Sequence, residues 1–181
     1  MTLTVLLWPN DAKTMTDCLA LRKQARKTLV LYGFAKACRP KLGGQGWREA
    51  KLADVYIQKR SGRCPMNGLG EELVTWGHFF VIDWRILLAI GWKESRFATD
   101  PPELAAARHN AWGWGPHMKF GTWDEAIYTV TGGLRRGYLN RGVRRIRDIG
   151  PIYAPPSEND TQGWIEDVEY VYKELDGRRY L

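Results

Sequence analysis

The chain has 181 residues, 44% hydrophobic and 26% charged, which is the composition of a folded protein and the size of one domain, or of one domain with an N-terminal extension. Lys and Arg outnumber Asp and Glu by 27 to 20, a net charge of +7 that favours an anionic partner such as nucleic acid, an anionic membrane surface or an anionic polymer. No stretch approaches the roughly 18–20 uninterrupted apolar residues of a membrane span, since the best candidate, 79–92, is interrupted by Asp83 and Arg85.

Residues 1–9 read as a short strand or an arm, and their apolar run is too short, and lacks the basic flank, for a secretory signal. Residues 14–38 read as a basic helix broken near Gly33, with Cys18, Leu19, Arg22, Ala25 and Leu29 in a loose helical stripe. A Gly- and Pro-rich loop at 39–46, a weakly patterned helix at 47–59 and a second break at 61–68 follow. A boundary falls near residue 65, setting an N-terminal helical extension (1–65), either separate or packed on the core, against a main domain (66–181). Cys18, Cys38 and Cys64 are odd in number and widely spaced, and fit neither a disulfide framework nor a zinc pattern. They read as small buried or idle thiols, which suggests synthesis in a reducing compartment.

The second half is more regular. Glu71 and Glu72 suit the first turn of a helix, and Leu73, Trp76, Gly77 and Phe80 then follow at helical spacing. Asp83 is placed to cap the next helix, 84 to about 96, which is apolar almost all round and so belongs at the centre of the fold. Asp100-Pro101-Pro102 ends it. Residues 103–121 read as a Trp- and Gly-rich loop. Thr122-Trp123-Asp124-Glu125 is a capping box that opens a helix with Ala126, Ile127, Val130 and Leu134 on its inner face, ending near residues 140–142. A short helix at 143–149 stops at Gly150-Pro151. A final helix from Thr161 carries Trp164, Ile165, Val168, Val171, Tyr172 and Leu175 on one face, with Gly177 as its stop. The expected fold class is all-α, or mainly helical α+β at most.

Glu94 is the residue most suggestive of chemistry. It sits near the C-terminal end of the apolar helix, on the face that carries Leu87 and Ile90. Desolvation and the negative end of the helix dipole both raise a carboxyl pKa there. A carboxyl still protonated near neutral pH is what a general acid needs. Lys93 and Arg96 oppose that shift if their side chains approach, and a simple ion pair at the helix end is the plainer alternative. In 108–117, glycines beside Trp112 and Trp114 leave rings and backbone open for stacking on sugar rings, with Asn110 as a hydrogen-bonding partner; a turn closed by buried Trp is the alternative. His109 and His117 lie apart from any metal-ligand set, and His78 reads as structural. Tyr153 lies in a rigid extended loop, where its hydroxyl would donate to a substrate, orient the acid, or merely pack a corner.

In order, Glu-Ser-Arg-Phe (94–97), Asn-Ala-Trp-Gly (110–113), Phe-Gly-Thr-Trp-Asp-Glu-Ala-Ile (120–127), Tyr-Leu-Asn-Arg-Gly (138–142) and Ile-Tyr-Ala-Pro (152–155) resemble the lysozyme-like peptidoglycan hydrolases, most closely the N-acetylglucosaminidase branch, glycoside hydrolase family 73. The resemblance covers about residues 71–176. It implies a lysozyme-like fold whose central buried helix carries the catalytic Glu, and cleavage of β-1,4 bonds in the peptidoglycan backbone with no metal or organic cofactor. It matches Glu94 to the catalytic acid, Trp112 to the aromatic of the Asn-x-aromatic-Gly motif and Tyr153 to the active-site tyrosine. Asn110, Trp112, Trp114 and Ser95 are then the candidate substrate-binding residues. The family often has a second carboxylate between the catalytic helix and that motif; here the interval offers only Asp100 and Glu103. Retaining and inverting enzymes need the pair roughly 5–5.5 or 6.5–9.5 Å apart. With one carboxylate, substrate-assisted hydrolysis and the lytic transglycosylase route stay open. Residues 1–65 match nothing in the family and suit a packed extension, a wall-binding arm or a virion-attachment segment.

The positive charge suits peptidoglycan strands and anionic wall polymers as partners. The missing signal segment suits a phage endolysin, or an enzyme carried in a virion, made in the cytoplasm and acting on the wall. Two other classes compete. The basic run Arg135, Arg136, Arg141, Arg144, Arg145 and Arg147 suits a phosphate-binding face, but no nucleic-acid-binding motif accompanies it, so nucleic acid is the less favoured partner. A non-catalytic glycan-binding virion protein on the same fold would keep Trp112 and Trp114 without depending on Glu94.

Overall fold

A computed structural model describes residues 15–101, 105–115, 118–157 and 160–176. The expectations for residues 1–9, Glu103, His117 and Gly177 lie outside the described residues. Among the described residues, eight α-helices follow one another: α1 (Met15–Ala25), α2 (Tyr32–Ala37), α3 (Gly44–Ser61), α4 (Gly70–Phe80), α5 (Trp84–Ser95), α6 (Trp123–Gly137), α7 (Ile146–Tyr153) and α8 (Thr161–Asp176), with a 3-10 turn at Leu139–Arg141. No strand occurs among the described residues, so the fold is all-α, as the periodicity predicts. None of the helices is long and apolar enough to cross a membrane.

Helix α5 is the axis of the packing. Leu87, Leu88, Ala89 and Ile90 are completely buried, because α4, α8 and α3 each cover part of its surface. The Asp83 carboxylate accepts from the Arg85 backbone N–H at 3.0 Å, the expected cap. At the start of α6, Thr122 Oγ1 accepts from the Glu125 N–H at 3.1 Å, while Glu125 takes its return bond from Gly121, not from Thr122. Helix α3 runs against α4, where the Gly70 backbone comes so close to α3 that a Cβ would sit 2.1 Å from the Ala50 carbonyl oxygen. Ala50, Ala53, Tyr56 and Ile57 of α3 share one hydrophobic core with α4–α8.

Several local expectations are corrected. The break between the first two helices lies at 26–31, not at Gly33, which is an ordinary residue within α2. Tertiary bonds set that break: Tyr128 donates to the Val30 carbonyl at 2.5 Å and Arg26 donates to the Phe79 carbonyl at 2.8 Å. The break also turns α2 back onto α1, bringing Cys18 and Cys38 to a Cα–Cα distance of 5.1 Å in a disulfide. These two are therefore not idle thiols, and the argument for a reducing compartment loses its basis. Cys64 is a free, buried thiol, as expected.

Helix α5 ends at Ser95, well before the prolines. Arg96, Phe97 and Ala98 take left-handed φ values of 51°, 60° and 65°. That conformation costs roughly 1–2 kcal/mol per non-glycine residue. Complete burial of Phe97 and Ala98 and a bond from the Ala98 N–H to Ser95 Oγ (2.9 Å) hold it. The short helix is not stopped by Gly150-Pro151 but continues through Pro151 to Tyr153, so Tyr153 closes a helix and does not lie in an extended loop. Gly150 makes this possible, since a Cβ there would lie 2.4 Å from Ile165 Cγ1 on α8.

Candidate active site

Glu94 lies in the last turn of α5, partly buried, on the wall of an open groove of about 180 Å³. Ser95, Pro101, Ala105, Arg108, Asn110, Gly113 and Gly115 complete the described lining. The groove is smaller than the roughly 300–1,000 Å³ of a typical small-molecule pocket. Glu94 Oε1 accepts a hydrogen bond from Trp164 Nε1 at 2.6 Å. Oε2 faces Gly113, where a Cβ would approach to 3.0 Å and where φ is +58°. Glycine suits this position, since a side chain would be strained at that φ and would crowd Oε2.

Burial pushes the Glu94 carboxyl above its usual range; the Trp164 hydrogen bond and the Lys93 charge pull the other way without cancelling it. The two neighbouring cations have other direct partners, although the Lys93 charge still acts on Glu94. Lys93 pairs with Asp167 of α8 at 2.7 Å, and the Arg96 guanidinium lies over the Trp92 ring at 4.6 Å. Glu94 makes no ion pair among the described residues, which disfavours the plain helix-end ion pair. It is also the only carboxylate in the described lining. Asp100 is exposed and does not line the groove.

The other predicted residues converge on Glu94, but their side chains are occupied. Trp112 is completely buried and donates from Nε1 to the Leu87 carbonyl at 2.9 Å, so it offers no face to a sugar. Asn110 donates to the carbonyls of Trp114 (3.0 Å) and Met118 (3.3 Å) and accepts from the Trp114 N–H (3.0 Å). Both its donors are spent on closing the loop. Ser95 is buried and donates to the Ala111 carbonyl at 2.8 Å. Ser95 and Asn110 line the groove with their side chains already bonded to the loop, and Trp112 is buried outside the described lining. Trp114 remains partly exposed, its ring against Gly133, where a Cβ would come to 2.2 Å.

Tyr153 donates to the Trp112 carbonyl at 2.5 Å, and burial together with the Glu94 charge pushes its own pKa up. Its hydroxyl therefore anchors the loop backbone and does not bond the acid. Its ring stacks on Trp164, centroids 5.2 Å apart and planes 26° apart. Trp164 is the residue the sequence reading placed only in the core; its helical spacing fits that role, and nothing local marks the indole N–H as a carboxylate donor seventy residues from Glu94.

Four arginines of the basic run have partners, while Arg141 and Arg144 are exposed. Arg136 is tied to the Ala25 carbonyl and Arg135 to that of Val81, while Arg145 pairs with Asp148 and Arg147 with Glu169. His109 donates from Nδ1 to the Phe120 carbonyl, and His78 pairs with Glu49. Among the described residues no group of three or more His, Cys, Asp or Glu is placed to hold a metal. The sequence matches no protein-family model and no curated protein, so the functional reading rests on the residues themselves.

Proposed function

We propose that the chain is a lysozyme-like peptidoglycan-cleaving enzyme, of the phage lytic type, that breaks β-1,4 glycosidic bonds with Glu94 as general acid. The observation that carries this reading is a desolvated carboxyl, without an ion pair among the described residues, on the wall of a groove at the end of the central helix. A protonated Glu94 gives its proton to the glycosidic oxygen as the C1–O bond breaks, so the leaving sugar departs as an alcohol. The order of motifs from Glu94 to Tyr153 supports the same assignment. The net charge of +7 suits a strand and wall polymers that are anionic.

Two routes use a group of the substrate itself once Glu94 has given up its proton. In a lytic transglycosylase, a hydroxyl of the same sugar attacks C1, ionised Glu94 takes its proton, and an anhydro sugar results. In substrate-assisted hydrolysis, the product ends in a reducing sugar. The burial of Trp112 weakens the passive glycan-binding reading.

Digestion of purified peptidoglycan, with mass spectrometry of soluble products, tests the proposal. Release of disaccharide-peptides is expected, and the terminal sugar names both bond and route. Intact wall after prolonged incubation with folded protein contradicts it.

A further inference from the structure

We propose that Trp164 is the positioning residue of the acid: its indole N–H holds Glu94 Oε1 and thereby leaves Oε2, beside Gly113, as the oxygen that carries and delivers the proton. This rests on the reading of Glu94 as the general acid. An indole N–H donates and never accepts. The 2.6 Å bond to Oε1 therefore persists whether Glu94 is ionised or neutral, and a proton on Glu94 belongs to Oε2. Oε2 is the oxygen that a Cβ at Gly113 would meet, and Gly113 lines the groove. The missing side chain leaves that oxygen open to a ligand.

The donor is fixed by a closed circuit of contacts. Trp164 is 3% exposed, in the first turn of α8. Its ring stacks on Tyr153, Tyr153 donates to the Trp112 carbonyl, and the Trp112 indole donates to Leu87, back on the helix that bears Glu94. The indole cannot turn from Oε1 without disturbing that stack. Other groups near Glu94 are Lys93, paired with Asp167 of α8, Tyr153 of α7, and Arg108 across the groove. A fixed donor lowers the proton affinity that burial raises, and so keeps the acid able to give up its proton.

The full-length protein is titrated by NMR, following the Trp164 indole N–H and the Glu94 side-chain carbon in wild type, Glu94→Gln and Trp164→Phe. The Trp164 indole resonance should move with the Glu94 ionisation and stop moving in Glu94→Gln. Trp164→Phe keeps a ring on Tyr153 and removes the donor. It should raise the proton affinity of Glu94 about tenfold and carry the alkaline limb of saccharide release to higher pH by the same factor. An indole resonance flat through the Glu94 ionisation overturns the proposal, as does an unchanged Glu94 midpoint in folded Trp164→Phe. If Trp164→Phe does not fold, the wild-type and Glu94→Gln titrations decide alone. An intact linkage in a protein that releases no saccharide overturns the acid reading, and the proposed role with it.

Discussion

Glu94 joins two opposed requirements in one side chain: its charge is unwelcome where it stands, yet the carboxyl must reach solvent-borne substrate. Burial raises its pKa, which means the native state binds that proton more tightly than the unfolded chain does. The resulting stabilisation is complete below the unfolded-state pKa and disappears as pH rises through the raised folded-state value. Glu94→Gln removes this dependence. Wild type should therefore melt below the Gln variant near neutral pH, by about 3–5 °C for each tenfold of raised proton affinity. The gap should close as pH falls into the ordinary carboxylate range; thermal melts of both proteins from acid to neutral pH check it, and a pH-independent gap contradicts the burial argument. Glu94 was legible in the sequence because an apolar helix ending in a carboxylate is a local pattern. The roles of Ser95, Asn110 and Trp112 were not, because sequence does not show where a side chain spends its hydrogen bonds. Ser95 and Asn110 proved to tie the loop at the groove, and Trp112 to bond α5 at Leu87. Trp164 was visible only as a core residue, since its bond to Glu94 depends on how α8 docks.

The decisive element is the left-handed turn after α5. It swings the chain sharply off the helix axis, and Ser95 fastens it to the loop that carries Asn110 to Gly113. Helix periodicity predicted α5 to about residue 96, close to its observed end, but not the turn that follows, because three consecutive left-handed residues have no signature in Arg96-Phe97-Ala98. Ser95→Ala leaves the Ala98 N–H and the Ala111 carbonyl without this partner. The expected cost is about 1–3 kcal/mol of stability, read from denaturant unfolding. Activity should fall as well, because the same hydroxyl spaces Glu94 from the loop. A variant of unchanged stability would show that the turn does not need this hydroxyl. Helix α7 makes a related point: Pro151 reads as a stop, yet it is tolerated inside an eight-residue helix because tertiary packing at Gly150 against Ile165 outweighs one lost backbone bond.

Across the whole molecule, α1–α3 and α4–α8 bury their apolar faces in one core, with Tyr128 on Val30 and Arg26 on Phe79 among the ties. The composition shift near residue 65 was legible. The packing across it was not, because it depends on close approach at Gly70. Calorimetry should therefore show a single cooperative transition. Reducing the Cys18–Cys38 bond, which spans 20 residues, should lower its stability by about 2–4 kcal/mol without splitting it. Two separated transitions would show that the first helices fold as an independent unit.

The central claim is that Glu94 is the acid that breaks the glycan. The most direct measurement compares the rates of saccharide release from purified peptidoglycan by wild type and by folded Glu94→Gln. The account predicts a loss of about 100-fold or more in the variant. Equal rates would mean that the proton comes from elsewhere and that the groove beside Gly113 is not the active site.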